Sequence, residues 1–553
     1  MTAYLPLAAA AVVLLAGLRA FRNYLFPSPL DNIPGPPSAS FLTGNLSQFF
    51  ATRTAGKFRA RLTETYGAVS LIKGFLGKRW LVIHDVKALQ AIGVKDQDSY
   101  RKALAPSNDL VILLGPSLLT TGGPQHKKQR KMMIPVFSNN HLRDMSHIFY
   151  NVSRKMRSAV ASRVPTNGSP KILDMNSWMA RTTLEILGQA GLGYSFDNFL
   201  EDSTDPYGES LKMFFPVYGP FQFFWFAFEP LTYVFSDAFI KGLLRLVPLR
   251  SLRRLLRISD TMHEHSSRIV EERKAALSKG DEAALHEVGE GKDIMSVCLK
   301  ANMAAAAKDR LSDDELLAHM STFILAGMDT TSNALSRILN LLAKNPSVQE
   351  RLRAEIVEAQ GGPGSDADIP YDDLIKLPYL DAVCRETLRL YAPVSYAPRV
   401  AAKDTVIPLA TPVRGRDRTI MNELVVSKGT SMILHYQAAN DAPELWGDDA
   451  HEWKPERWLS RLPKAVEDAH IPGVYSNLMT FAAGSRACIG FMFSQVETSR
   501  PGHSFAGVRI RVDGPRDYVE LLRRQLPHDG RREPEAGDVV EGEGAVERHS
   551  GYF

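Results

Sequence analysis

The chain has 553 residues, 44% hydrophobic and 23% charged, with a formal net charge of +5. This is ordinary globular composition that can fill a large core, and no internal repeat or long flexible linker divides it. The slight charge and the lack of a Lys/Arg run do not point to a nucleic-acid binder, and three cysteines (Cys298, Cys384, Cys488) build no disulfide framework but suit a reducing compartment.

Residues 3–18 are apolar, with Arg19 and Arg22 after them and no positive charge before them. A secretory signal carries its charge first. The order here predicts a membrane anchor over residues 1–26 with the remainder cytosolic, a cleaved signal being the alternative. Ile33-Pro34-Gly35-Pro36-Pro37 then reads as a stiff spacer, part of a stretch covering 27–40.

Two strands are predicted at 68–72 and 79–83, around Gly74 and Gly77. Asp85 is expected to cap a short helix to Ile92. Helix is expected over 126–161, with a basic start, and over 174–192. The segment 213–239 is strongly aromatic, with Phe221, Phe223, Phe224, Trp225 and Phe226 almost consecutive. It reads as core, or as a surface loop that dips into a bilayer or lines a pocket mouth.

Ser312 followed by Glu315 forms a capping box, with Asp313 and Asp314 favourable at the positive helix end. The helix it starts is expected to run to Asn345, where Pro346 stops it, a rod of about 50 Å. In its middle stands Ala326-Gly327-Met328-Asp329-Thr330-Thr331. Glycine and paired threonines weaken a helix centre, which points to something lying against it, or to close helix packing.

The chemistry centres on Phe481-Ala482-Ala483-Gly484-Ser485-Arg486-Ala487-Cys488-Ile489-Gly490. Gly484 permits a tight bulge and Gly490 the approach of a flat group beside the sulfur. Phe481 can exclude water, and Arg486 can pair with a carboxylate. A thiolate needs positive charge, hydrogen bonds or a metal to stay ionised. Zinc fits poorly, because no second Cys or His stands at ligand spacing. A single thiolate on iron, with haem supplying four nitrogens, fits better.

These residues match FxxGxRxCxG, and the chain resembles the cytochrome P450 family from about Pro34 to Glu497. Glu386-Thr387-Leu388-Arg389 resembles its ExxR, although the same spacing recurs at Glu350/Arg353, Glu497/Arg500 and Glu520/Arg523. Leu377-Pro378-Tyr379 before it and Pro455-Glu456-Arg457-Trp458 after it single out the first. The resemblance implies an α+β fold, mainly α with small β-sheets, as a haem domain over 41–498. It implies haem b on Cys488 and a buried structural network of Glu386, Arg389 and Arg457.

Ala326 to Thr331 is similar to the family's oxygen-activating AGxDTT. That likeness implies Thr330 as the hydroxyl beside dioxygen and Asp329 as a proton relay, with Ala326 and Gly327 leaving room above the iron. Arg486, Arg399 and Arg130 are implied as haem propionate partners. The family's WxxxR has His126 in place of Trp, and imidazole can still donate. The basic helix start at Lys127, Lys128, Arg130 and Lys131 resembles a docking face for an acidic partner. The implied function is a monooxygenase that inserts one oxygen atom from O2 into an apolar organic substrate. Its implied electron source is NADPH through a separate cytochrome P450 reductase, with cytochrome b5 as a further donor, at the endoplasmic reticulum membrane. Rival readings are a non-catalytic relative and a haem isomerase or dehydratase of the same fold.

Pro501 is expected to end the helix that follows Cys488, leaving residues 499–553 as a divergent, disordered tail apart from a strand at 508–512. A shifted reading frame, a retained intron or a real divergence each account for such a tail. A fold stable by only about 5–15 kcal/mol is expected to suffer from that loss.

Overall fold

The computed structural model describes residues 26–51, 54–102, 109–165, 171–200, 206–221, 234–279, 292–365, 367–504, 508–512 and 519–523. The expected anchor at 1–26 therefore lies outside the described residues except for Phe26. So do residues 222–233 of the aromatic segment and most of the tail.

Helices dominate. Those that shape the site are α1 (Gly123–Met133), α2 (Ser146–Arg163), α3 (Met175–Ile186), α4 (Asp237–Leu246), α5 (Arg250–Lys279), α6 (Asp313–Lys344), α7 (Pro378–Leu390) and α8 (Phe491–Ser504). The strands are β1 (Val69–Lys73), β2 (Arg79–Ile83), β3 (Tyr100–Lys102), β4 (Lys171–Leu173), β5 (Ala397–Ala401), β6 (Thr405–Arg414), β7 (Ile420–Val426), β8 (Ser431–Leu434), β9 (Val508–Val512) and β10 (Val519–Arg523). They form a five-stranded sheet β1-β2-β8-β5-β3, a three-stranded sheet β4-β10-β9 and a hairpin β6-β7. This is the expected α+β arrangement of many helices with small sheets.

The axis of the molecule is α6, whose 32 residues span about 48 Å. Its start is the anticipated capping box: Glu315 N donates to Ser312 Oγ at 3.2 Å and Ser312 N to Glu315 Oε2 at 2.9 Å. Pro346 follows its C-cap, Asn345. Most of its surface is buried, and it packs on α3, α5, α7 and α8. Its central residues join one large apolar cluster with α2 and α3.

Three expectations on helices need correction. The helix expected over 126–161 is broken: α1 stops at Met133, a 3-10 turn holds Pro135, a short helix spans Asn139–Asp144, and α2 starts at Ser146. Pro135 lacks the N–H that a continuous helix requires. The helix expected over 174–192 is regular only to Ile186 and widens to i→i+5 turns over Leu187–Leu192. The third correction concerns Pro501, which does not end α8; that helix runs on to Ser504. Proline removes one rung near a helix end, while the Thr498 and Ser499 hydroxyls donate to Ser494 O and Gln495 O at 2.8 Å.

Nor is the tail without structure beyond one strand. Residues 508–512 form β9 as expected, and Val519–Arg523 form β10, antiparallel to both β9 and β4. The Val-Arg-Ile-Arg-Val alternation of β9 is strand-like, whereas β10 sits among charged residues that mask its pattern. In the aromatic segment, Phe214 and Tyr218 are buried in the core, whereas Val234, Phe235 and Phe239 are exposed.

Candidate haem-binding site

The loop ahead of α8 is folded tightly on itself. Cys488 N donates to Phe481 O at 2.9 Å and Ala487 N to Gly484 O at 3.1 Å. Gly484 has φ +63°, and a Cβ there would stand 2.0 Å from Gly93 O, so only glycine fits. Ser485 N donates to Gln97 Oε1 at 2.9 Å, tying the loop to the segment before β3. At Gly490 an added Cβ would meet only Phe137 Cε1 at 3.8 Å, so protein packing does not demand glycine there. Phe481 packs edge-on against Tyr475 and tilts toward Phe491.

Cys298 and Cys384 are buried, and burial pushes both thiols up to about 12, which leaves them inert. Cys488 differs. Its side chain has accessible surface, yet protein surrounds it densely enough to raise its pKa. A side chain on the wall of an interior space has both properties. The Arg130 guanidinium and a backbone bond from Gly490 act in the opposite direction and favour the thiolate. Among the described residues no cluster of three or more metal-binding side chains occurs.

Beside this loop lies a cavity of about 200 Å³ whose lining includes Lys102, His126, Arg399 and Arg486. Arg486 Nη1 donates to Thr121 O at 3.0 Å and Arg399 Nη1 to Pro398 O at 2.8 Å. Arg130 instead reaches the cysteine loop, donating from Nη1 to Ala487 O at 2.8 Å. Burial, then Arg399 and Arg130, pull Arg486 down to about 10. Burial, then Arg486 and Lys102, pull His126 down to about 3, so its imidazole is neutral with one N–H to donate. Lys102 is depressed well below the ordinary lysine range by burial, Arg486 and Arg399. Cations that repel one another inside a protein need an anion among them. The pair of carboxylates on a haem fits that requirement, and the thiolate fits its iron. Lys102 was not anticipated. It sits on a three-residue strand with no motif, and only its pairing with Arg399 reveals it.

The middle of α6 carries the second group of expected residues. Thr330 Oγ1 donates to Ala326 O at 2.7 Å. Thr183 Oγ1 donates to Met328 O at 3.2 Å, and Asn333 Nδ2 to Asp329 O at 2.7 Å. Side chains thus engage three carbonyls within one helical turn, those of Ala326, Met328 and Asp329, which loosens the ladder there. Asp329 Oδ2 is buried without a partner, and burial lifts this carboxyl to about 7. Gly327 owes its smallness to packing: a Cβ would lie 2.9 Å from Leu187 Cδ1 and Cδ2.

The predicted charge network is present and fully buried. Arg389 Nε and Nη2 bind Glu386 Oε2 and Oε1 at 2.8 Å each. Trp458 Nε1 donates to Glu386 Oε2 at 2.9 Å, and Arg457 approaches Oε1 at 3.4 Å while bonding Asp449 Oδ1 at 2.8 Å. Arg389 Nη1 reaches Ala450 O at 2.6 Å. The network fastens α7 to the chain leading into the cysteine loop. The similar pair Glu350/Arg353 has a half-exposed glutamate and no such role.

The cytochrome P450 family model matches residues 34–499. A ganoderic acid synthetase of Ganoderma lucidum is 54% identical over 479 residues, covering 86% of this chain and 87% of that protein. Cytochrome P450 monooxygenases 91 and 81 of Postia placenta are 50% and 47% identical, covering 88% and 89% of this chain and 89% and 88% of theirs.

Proposed function

Since the chain belongs to the cytochrome P450 family and is an oxidoreductase of its monooxygenase type, we propose that it inserts one oxygen atom from O2 into an apolar organic substrate, with electrons from NADPH through a separate reductase. The observation that carries this reading is the Cys488 loop beside a cavity walled by Lys102, Arg399, Arg486 and His126. Haem b held on the Cys488 thiolate supplies the reductive activation of O2. The protein supplies the rest. Arg486, Arg399, Lys102 and His126 hold the propionates. Arg130 fixes Ala487 and stabilises the thiolate. Thr330 offers its hydroxyl at the loosened turn of α6, and Asp329, titrating near neutrality, exchanges protons with solvent.

The substrate reading rests on the apolar side chains that cluster with α6: Ile112, Leu113 and Leu114, together with Phe323. The relative from Ganoderma lucidum is named for ganoderic acid, so ganoderic acids belong in the ligand screen beside sterols, fatty acids, terpenes and aromatics. The basic residues Lys127, Lys128 and Lys131 on α1 support docking of an acidic reductase, or of cytochrome b5, by electrostatic steering.

The proposed location is the endoplasmic reticulum membrane. Among the described residues no helix is long and apolar enough to cross a bilayer. The support is the apolar run over residues 3–18 and an exposed apolar face at Phe235, Phe239, Leu243, Leu246 and Leu249 on and around α4. Binding spectra of purified protein test the substrate reading: a substrate-type shift with an apolar ligand supports it, and shifts only with charged hydrophilic ligands overturn it.

A further inference from the structure

The segment between the short helix Asp109–Leu114 and α1 walls the haem cavity with Thr120 and Thr121. Two of its carbonyls hold cations of that cavity: Lys102 Nζ donates to Leu119 O, and Arg486 Nη1 donates to Thr121 O at 3.0 Å. An ammonium and a guanidinium each have several N–H donors, so both keep others for an anion in the cavity. The segment is in turn tied to α6. Leu118 N donates to His319 Nε2 at 3.2 Å, and Thr322 Oγ1 donates to Ser117 Oγ at 2.8 Å. His319 is fully buried about two turns into α6, and its other ring nitrogen, Nδ1, lies 2.5 Å from Glu315 O. A carbonyl only accepts and a backbone N–H only donates. Nδ1 therefore carries the hydrogen and Nε2 offers its lone pair, which makes the imidazole neutral. Burial holds its pKa below the ordinary histidine range, in keeping with that form. The Glu315 carboxylate is occupied elsewhere: it accepts from Gln129 Nε2 at 2.8 Å, Gln125 Nε2 at 3.2 Å and Ser312 N at 2.9 Å.

We propose that His319 is a positioning residue for haem: its Nε2 holds the Leu118 N–H, and thereby sets Leu119 O and Thr121 O so that Lys102 and Arg486 present their remaining donors to the propionates. This deepens the haem-thiolate reading and rests on it. The Leu118 N–H has one direction, fixed by its peptide plane, and is buried among groups that leave it no water. Losing its acceptor leaves an orphaned donor inside the protein, and the segment must shift to find another. Leu119 O and Thr121 O lie one and three residues further along the same backbone, so both cations lose their aim together. The serine–threonine contact next to it is a weaker constraint, because a hydroxyl can rotate. His319 touches neither haem nor substrate. It acts through the Leu118 backbone and joins the central helix to the propionate side of the cavity.

Haem release from the full-length, haem-loaded enzyme to an acceptor protein tests this. His319→Leu removes the acceptor and should release haem about two- to tenfold faster, the range that one lost hydrogen bond supports. His319→Gln, whose Oε1 can accept where Nε2 stood, should restore the wild-type rate. His319→Asn is one methylene shorter and should not. Equal release from the Gln and Asn variants overturns the proposal, and this pair decides the matter if His319→Leu does not fold. A second readout combines His319→Leu with Lys102→Met. If His319 acts through Lys102, the double variant releases haem distinctly more slowly than the product of the two single effects requires. Effects that simply multiply mean a general loosening of the fold and overturn the proposal. The reduced carbon-monoxide spectrum separates the two levels of the account. A wild type without a thiolate-type band means that the haem-thiolate reading has failed, whereas normal bands with multiplying effects condemn the role of His319 alone.

Discussion

Lys102 and Arg399 stand directly opposite each other where β3 pairs with β5, and the electrostatic field of Arg486 reaches Lys102 as well. Like charges facing across a sheet repel. Lys102 Nζ donates to Leu119 O and Arg399 Nη1 to Pro398 O, and an anion between them would offset the remaining repulsion. Lys102→Met should therefore stabilise the haem-free protein while weakening its hold on haem. Loss of one charge-assisted hydrogen bond, worth about 1.5–3 kcal/mol, speeds haem release about tenfold or more. Transfer of haem to an acceptor protein measures this; an unchanged release rate in the variant excludes Lys102 as a propionate partner.

Thr330→Ala should leave haem binding intact and lower the product formed per NADPH consumed, because the hydroxyl at the loosened turn is lost. Peroxide release should rise in step. Equal coupling in variant and wild type would remove Thr330 from the proton path.

Asp329 carries a sign that can be checked. Its folded pKa of about 7 lies above the ordinary 3.8, so the folded state holds the extra proton. Stability from this group is full at acid pH and declines as pH rises from about 4 through 7. Asp329→Asn should abolish that decline, so its advantage over wild type in denaturant midpoint grows with pH across this window. A constant difference between the two proteins contradicts the assignment.

Glu386→Ala should leave Arg389 buried without its partner and cost about 3–5 kcal/mol. Yield of haem-loaded protein and the unfolding midpoint should both fall sharply. Arg353→Ala removes a buried arginine but strands only the half-exposed Glu350, and should cost less. Similar losses at both sites would mean that burial does not distinguish them.

Residues whose chemistry is local were legible from the sequence. Gly484, Arg486 and Cys488 lie in one short loop, and its φ of +63° at Gly484 is what a lone glycine in that place announces. Ser312 and Glu315 stand three residues apart and cap the helix as their spacing requires. Residues defined by distant neighbours were not legible. Lys102 matters only through Arg399, which lies 297 positions away in the chain (399 − 102). Glu497 looked like one more Glu-x-x-Arg pair, and nothing in its spacing announces that it is fully buried. Gly327 packs against Leu187, a neighbour from a distant turn that the motif does not announce. Pro501 illustrates the opposite error: a local rule overstated, because a helix near its end can lose one rung and continue.

The central claim is that the Cys488 thiolate holds the haem iron. The reduced carbon-monoxide difference spectrum of wild type and Cys488→Ala, recorded with measured haem content, tests it most directly. A thiolate-type Soret band in wild type that disappears in Cys488→Ala is predicted. The same band persisting in the variant, or its absence from well-folded, haem-loaded wild type, would contradict the account.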